Sequence, residues 1–291
     1  MNIAIASGKG GTGKTTVSAS LVSLWKQPVI AMDLDVEAPN LHLFLKPSIE
    51  GEEKAHIEVP EVDESKCTYC RECAELCQFK AISVMGGVIL TFTEMCHGCG
   101  GCLAVCPEKA LSPGQRELGD ILWGQAGNAR FLMGRSRIGE AMTPPLMRQV
   151  KRRLAQMMKA QPADVIIDAP PGVSCPAVNA VMDADVIVLV TEPTPFGLFD
   201  LELAHKAFLP LGKAMGAVIN RAGLGEEKVY DFCRSKDLPI WAEIPFERRI
   251  ASAYSKSELV AAISPELRAL FRQLAETITK AGVSNLGVCH A

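Results

Sequence analysis

The chain has 291 residues, of which 48% are apolar, 22% charged and 5% aromatic, a globular composition that excludes disordered and fibrous classes. Its 30 basic and 33 acidic residues leave a net charge of −3, so there is no positive field for general nucleic-acid binding. Its longest apolar runs, such as Val186–Val190, are far too short to span a bilayer, and no membrane anchor is evident.

From the N-terminus, Asn2–Ala6 is a short β-prone run with neither a basic region nor a cleavage-like site. It reads as a first strand rather than an export signal, and a cytoplasmic location is expected. A glycine-rich loop, Gly8 to Thr16, follows, and Val17, Leu21, Leu24 and Trp25 then recur at helical spacing. A second apolar run leads from Pro28 to Asp33. Further strand-like runs are expected at 163–168, 185–190, 216–220 and 239–244, with helix-period stretches at 145–158, 198–208, 226–235 and 265–281. This alternation predicts an α/β fold, a mostly parallel sheet covered by helices on both faces. The segment from about 60 to 113 breaks the rhythm, being dense in cysteine and poor in helix-period apolar residues. It is expected to be a small inserted domain, with the acidic stretch Glu50–Glu64 as one linker and Ser112-Pro113-Gly114 as the other. The predicted division is 1–56 with 113–291 for the α/β domain and 57–112 for the insert.

The loop Gly8-Lys9-Gly10-Gly11-Thr12-Gly13-Lys14-Thr15, continued by Thr16, fits G-x-x-x-x-G-K-[ST] and stands between a strand and an amphipathic helix. The glycines let backbone N–H groups point at phosphate oxygens, and the helix N-terminus adds partial positive charge there. Lys14 would neutralise the outer phosphates and the Thr15 hydroxyl would help to hold Mg²⁺. The apolar strand Val165-Ile166-Ile167 delivers Asp168 to the same edge, where it would hold Mg²⁺ through water. Asp33 also ends a strand, where open parallel sheets bind their ligands.

The string from Lys9 to Thr15 resembles the deviant Walker A loop of the ParA/MinD/nitrogenase-iron-protein class. The resemblance implies an ATPase that closes as a homodimer, or a heterodimer with a related ATPase, with Lys9 reaching across to the partner's nucleotide. Asp33-Leu34-Asp35 looks like the first switch of that class, with Asp33 near the metal and Asp35 aligning the attacking water. Asp168-Ala169-Pro170-Pro171-Gly172 resembles its Walker B strand and second switch, and Gly172 would let the backbone approach the γ-phosphate. Asn220-Arg221 matches its adenine-side position, and the stretch from Pro245 to Arg249 follows the strand expected to close the base pocket.

Eleven cysteines are unusual for a compartment that keeps thiols reduced, and eight of them lie between Cys67 and Cys106, which points to metal or iron–sulfur ligation. Cys67, Cys70, Cys73 and Cys77 recur 29 residues later as Cys96, Cys99, Cys102 and Cys106, and Lys80-Ala81-Ile82 recurs as Lys109-Ala110-Leu111, so the insert is a duplicated unit. Three evenly spaced cysteines plus a fourth fit zinc poorly, since zinc sites favour pairs of C-x₂-C. Each half reads C-x₂-C-x₂-C-x₃-C and resembles a bacterial two-cluster ferredoxin, in which the fourth cysteine serves the other cluster. The resemblance implies one [4Fe–4S] cluster on Cys67, Cys70, Cys73 and Cys106 and a second on Cys96, Cys99, Cys102 and Cys77. Gln78 stands where the ferredoxin pattern has proline. His97 reads as a surface side chain and His205 as a core-edge histidine.

Cys175 follows the second-switch motif and reads either as a small buried hydrophobe or as an interface thiol. Cys233 reads as core, and Cys289-His290 as a tail rather than a metal site. The final helix lacks a strongly basic face, so membrane targeting is not supported. Together the motifs resemble MinD-superfamily ATPases with an inserted ferredoxin domain, implying ATP-gated electron transfer to a redox or iron–sulfur protein partner. Two alternatives stay open: a cluster assembly or carrier ATPase, and a positioning or scaffold ATPase whose ferredoxin senses redox state.

Overall fold

The computed structural model describes residues 1–225 and 227–288. Glu226, where a helix is expected to begin, and Cys289 and His290 lie outside the described residues. In chain order the elements are β1 (Asn2–Ala6), α1 (Lys14–Leu24), β2 (Val29–Asp33), α2 (Leu41–Leu45), β3 (Ser48–Val62), α3 (Glu72–Leu76), β4 (Ile82–Met85), β5 (Val88–Thr91) and α4 (Gly101–Val105). They continue with β6 (Leu111–Ala126), β7 (Ala129–Ser136), α5 (Pro144–Ala160), β8 (Asp164–Asp168), α6 (Cys175–Val181), β9 (Val186–Thr191), α7 (Pro195–Phe208), β10 (Ala214–Ala222), α8 (Lys228–Ser235), β11 (Ile240–Pro245), α9 (Arg248–Ser255) and α10 (Pro265–Val288).

The chain forms two compact units, one of Met1–Glu52, Ile121–Arg135 and Met147 onward, the other of Glu53–Asp120 and Ser136–Leu146. The strand order is β11-β10-β9-β1-β8-β2-β7-β6-β3, and the pairs from β11 through β7 are parallel. In the larger unit β1, β2, β8 and β9 are buried almost throughout, which explains their unbroken apolar sequences. Helix α1 is buried along most of its length and carries small side chains there, Ser18, Ala19 and Ser20. Helix α10 presents Leu267, Phe271, Leu274 and Ile278, a stripe at helical spacing, to this core. No described helix is long and apolar enough to cross a membrane.

Both stretches expected to be linkers are strands instead. Residues 48–62 form β3, in which Ala55, Ile57 and Val59 are buried while Lys54, His56 and Glu58 are exposed. The acidic outward positions of 50–64 mask a period-two strand. Ser112-Pro113-Gly114 lies near the start of β6, where a proline is tolerated. Both strands pass from one unit into the other. A two-residue turn at Gly127 (φ +59°) joins β6 to β7, which the sequence reading also missed.

In the smaller unit the 29-residue repeat extends to the backbone. Helix α3 superposes in register on α4, since 72–76 maps onto 101–105. Left-handed residues recur at the same offset: Tyr69, Arg71 and Lys80 against Gly98, Gly100 and Lys109. The hairpin β4–β5 is antiparallel and places Ile82, Val84 and Ile89 with Leu111 in a small core around Cys73.

The Phe271 ring is fully buried among the α10 contacts. Phe271→Ala is expected to cost about 3–5 kcal/mol in chemical denaturation followed by far-UV circular dichroism. A loss below about 1 kcal/mol would mean that α10 does not anchor the core there.

Candidate functional site

In the larger unit, strands β1, β2 and β8 end side by side, and the loop after β1 turns directly into α1. Gly13 caps α1 with φ +98°, and a Cβ there would lie 2.4 Å from the Asn220 Nδ2. That amide donates to the Thr12 carbonyl at 2.8 Å, so Asn220 braces the loop from the end of β10. A glycine is therefore required at 13 by both conformation and close approach. Gly8 is needed for space alone, since its Cβ would sit 2.0 Å from the Asp200 carbonyl oxygen.

The Lys14 ammonium is buried and donates to Ser7 Oγ at 2.9 Å and to the Lys9 carbonyl at 3.5 Å. Thr15 Oγ1 donates to Asp168 Oδ2 at 2.7 Å and Ser18 Oγ to Asp168 Oδ1 at 3.0 Å. The Asp33 carboxylate accepts the backbone N–H groups of Asp35, Asn40 and Leu41, each at 3.0 Å. Asp33 thus organises the loop from 34 to 41 and carries Asp35 on it. Burial, and next the charge of Asp168, pushes Asp35 up to about 6, with Lys14 opposing. Burial also raises Asp168 and Asp33 and lowers Lys14.

A cavity of about 1460 Å³ opens over the loop. Of the residues anticipated from sequence, Gly10, Gly11, Gly13, Lys14, Thr15, Thr16, Asp35, Asn220, Arg221 and Pro245 line it. Gly8, Lys9, Thr12, Asp33, Asp168 and Gly172 do not. Asp168 stands behind Thr15, and Gly172 donates its N–H to the Ser7 carbonyl at 2.9 Å. Thr12 Oγ1 is buried without a hydrogen-bond partner among the described residues. Lys9 is paired within its own chain, 3.5 Å from Asp200 Oδ2 and 5.7 Å from the Phe196 ring centroid. Arg221 bonds Glu192 at 3.1 Å. Of the stretch 245–249 expected to close the base pocket, Phe246 and Glu247 also line the cavity, while sequence reasoning missed Ile250, Ala251 and Tyr254. The spacing 250, 251, 254 on α9 was the available signal.

In the smaller unit the eight clustered cysteines divide between two cavities. One, of about 370 Å³, is lined by Cys67, Cys70, Cys73 and Cys106. The other, of about 580 Å³, is lined by Cys77, Cys96, Cys99 and Cys102. Backbone N–H groups of Ala81, Gly98 and Ala110 donate to the sulfurs of Cys77, Cys96 and Cys106 at 3.3, 3.4 and 3.2 Å. Burial pushes the Cys102 thiol up to about 11 and raises that of Cys73. No three Cys, His, Asp or Glu side chains among the described residues are grouped to hold a metal ion. A tetrahedral zinc site would bring thiolates to about 3.8 Å from each other, given its ≈ 2.3 Å bonds. His97 stacks on Phe79 with centroids 3.5 Å apart. Cys175 is exposed, Cys233 is buried, and His205 is buried with its ring edge-on to Phe232.

A strand, phosphate-binding loop and helix, with carboxylates at the ends of the neighbouring parallel strands, define a P-loop nucleotide-binding protein. Residues 3–260 match the model of the CobQ/CobB/MinD/ParA nucleotide binding domain, and the chain belongs to that family. Two uncharacterized proteins of Methanocaldococcus jannaschii are each 31% identical to it. One aligns over 271 residues (89% of this chain, 90% of the relative), the other over 283 (96% and 98%). An uncharacterized ATP-binding protein of the same organism is 56% identical over 46 residues, 15% of this chain and 17% of its own. The fold is similar to that of the septum site-determining protein MinD of Pyrococcus horikoshii in complex with Mg-ADP, with a TM-score of 0.60 at 22% identity, covering 98% of each chain. It is also similar to the cell division ATPase MinD of Pyrococcus furiosus, with a TM-score of 0.59 at 24% identity over 96% of this chain and 98% of that one. The fold is that of the MinD proteins.

Because Asp35 is held up near 6 in the folded chain, its charge opposes folding once the pH passes that value. Asp35→Asn is expected to raise the denaturation midpoint of the nucleotide-free protein at pH 7.5. The gain should shrink as pH falls through 6 and vanish by about pH 4, where the unfolded chain also protonates the carboxyl. Denaturation curves at a series of pH values check this, and a gain unchanged across the range would count against it.

Proposed function

We propose that the protein is an ATPase whose nucleotide state gates one-electron transfer through two [4Fe–4S] clusters to a protein partner. The observation that carries this reading is the division of eight cysteines into two cavities, each with three ligands from one repeat and the fourth from the other. Four sulfurs about one cavity, with backbone N–H donors aimed at three of the eight, suit an iron–sulfur cube. In this reading the repeat-bearing segment 57–112 is a ferredoxin-like module. The clusters supply one-electron storage when bound, taking electrons from a reduced donor protein and yielding them to an oxidised acceptor.

The remaining roles belong to the chain's own residues. The loop from Gly8 to Thr16 cradles the phosphates, and Lys14 neutralises their charge. Thr15 and Asp168 hold Mg²⁺, Asp168 through water. Asp35 orients a water whose oxygen attacks the γ-phosphorus as the bond to the β-phosphate oxygen breaks, releasing ADP and phosphate. Gly172 follows the presence of the γ-phosphate, and Asn220, Arg221 and Pro245 surround the base with Phe246 and Tyr254. The Mg-ADP named for the Pyrococcus horikoshii protein and the ATP-binding relative support this nucleotide assignment. Lys9 acts across a dimer with a second copy or a related ATPase, for which it must leave Asp200. A solved MinC:MinD complex of Aquifex aeolicus is a precedent for partner binding on this fold, with a TM-score of 0.56 at 16% identity over 96% of each chain.

Anaerobically purified protein should contain about eight iron and eight acid-labile sulfide per chain. Lys14→Ala should lower ATP turnover about 10²-fold or more while leaving the iron content intact. Equal turnover in that variant refutes the nucleotide site, and zinc or no metal refutes the clusters. Rapid loss of labelled iron to an apo-acceptor would replace electron transfer with a carrier role.

A further inference from the structure

The two repeats are alike in backbone but not in what grips them. Strand β3 runs along the second cysteine loop, where Glu58, Val59 and Pro60 line the cavity of Cys77, Cys96, Cys99 and Cys102. None of its residues lines the cavity of Cys67, Cys70, Cys73 and Cys106. The contact is close: a Cβ on Gly98 would lie 2.5 Å from Ile57 Cγ1 and 3.1 Å from the Glu58 carbonyl oxygen. The first repeat carries Tyr69 at the equivalent left-handed position, where it packs on the small core of Ile82, Val84, Ile89 and Leu111.

A second grip falls on the same loop. Glu94, two residues before Cys96, accepts Arg116 at 3.1 Å and Arg137 at 2.5 Å, and both arginines also bind Glu140. Arg116 is on β6, and Arg137 and Glu140 lie on the segment between β7 and α5. The chain segments that return to the larger unit (β3, β6 and 136–146) therefore all bear on the loop that begins at Cys96. The first loop meets only the far ends of β3 and β6: Val62 and Leu111 pack with Cys67 and Tyr69, Leu111 lines its cavity, and the Asp63 N–H donates to the Ala110 carbonyl at 2.8 Å.

We propose that the four-cysteine set of Cys77, Cys96, Cys99 and Cys102 is the nucleotide-responsive one, with Glu94, Arg116, Arg137 and Glu140 as positioning residues, and that the Cys67 set, met only by the far ends of β3 and β6, is not. This deepens the electron-transfer reading above and rests on it. Strain imposed on β3, β6 or 136–146 reaches the second loop through Ile57 and Glu94 before it reaches the first.

Redox-poised EPR of the reduced full-length protein, with MgATP and with MgADP, tests it, Cys70→Ala and Cys99→Ala serving to assign the signals. Exchanging MgADP for MgATP should shift the midpoint potential of the Cys96-set signal and leave the other in place. The double variant Glu94→Gln/Arg137→Met should lose that shift while retaining wild-type iron content and ATP turnover. Hydrogen exchange at 96–101 should respond to MgATP in the wild type and not in the variant, with 67–72 unresponsive in both. A shift at the Cys67 set alone, equal shifts at both, or a shift that survives in the double variant overturns this inference and leaves the electron-transfer reading standing. No shift at either set overturns both.

Discussion

Like charge is crowded at the end of the central strands, and the nucleotide site is organised around that repulsion. Asp33 and Asp168 are register partners on the adjacent parallel strands β2 and β8, and Asp35 follows two residues on. The buried Lys14 ammonium acts on two of the three carboxyls, Asp168 and Asp35. Burial raises every carboxyl and lowers the lysine, so each group leans toward its neutral form. A polyphosphate alone would add to the repulsion, whereas a divalent cation beside Thr15 and Asp168 reverses it. In the reading proposed above, the arrangement favours a nucleotide that arrives with its metal.

The hydrogen bonds keep this charge tolerable. Asp168 is held by two hydroxyls of α1, and Asp33 by three backbone N–H groups. Those bonds stabilise the ionised forms, oppose the desolvation and fix the loop that carries Asp35. The loop that carries Asp35 is thus positioned by a residue that does not line the cavity. The sequence suggested a metal-side role for Asp33, and the bonds to Asp35, Asn40 and Leu41 give it a loop-organising one.

What was legible in the sequence follows from how local each feature is. The doubly covered strands β1, β2, β8 and β9 are continuous apolar runs, and the phosphate loop is one uninterrupted segment. The strands β3 and β6 were not legible, because their buried residues are interleaved with charged or polar ones, and β7 was missed although Phe131–Gly134 are buried in succession. In β3 the alternation of Ala55, Ile57 and Val59 was hidden by the glutamates between and before them. Ile250, Ala251 and Tyr254 escaped because their cavity partners are distant in sequence: they belong to the cavity only because β11 delivers α9 to its wall. The pairing of Lys9 with Asp200 likewise joins residues 191 positions apart and has no local signature.

The cysteine repeat obeys a different logic from the phosphate loop. Each half copies the backbone of the other down to the left-handed residues at 69 and 98, 71 and 100, and 80 and 109. Neither half closes its own cavity, because Cys77 faces the second and Cys106 the first. The small core of Ile82, Val84, Ile89 and Leu111 lies against cysteines of both halves, so the repeats fold as one body. Exchange of the fourth cysteine makes each cavity depend on the placement of the other repeat. A grip on one loop, such as that of Glu94 and Ile57 on the loop at Cys96, is then felt by a second site only through this shared core, which gives two chemically alike cavities different mechanical surroundings.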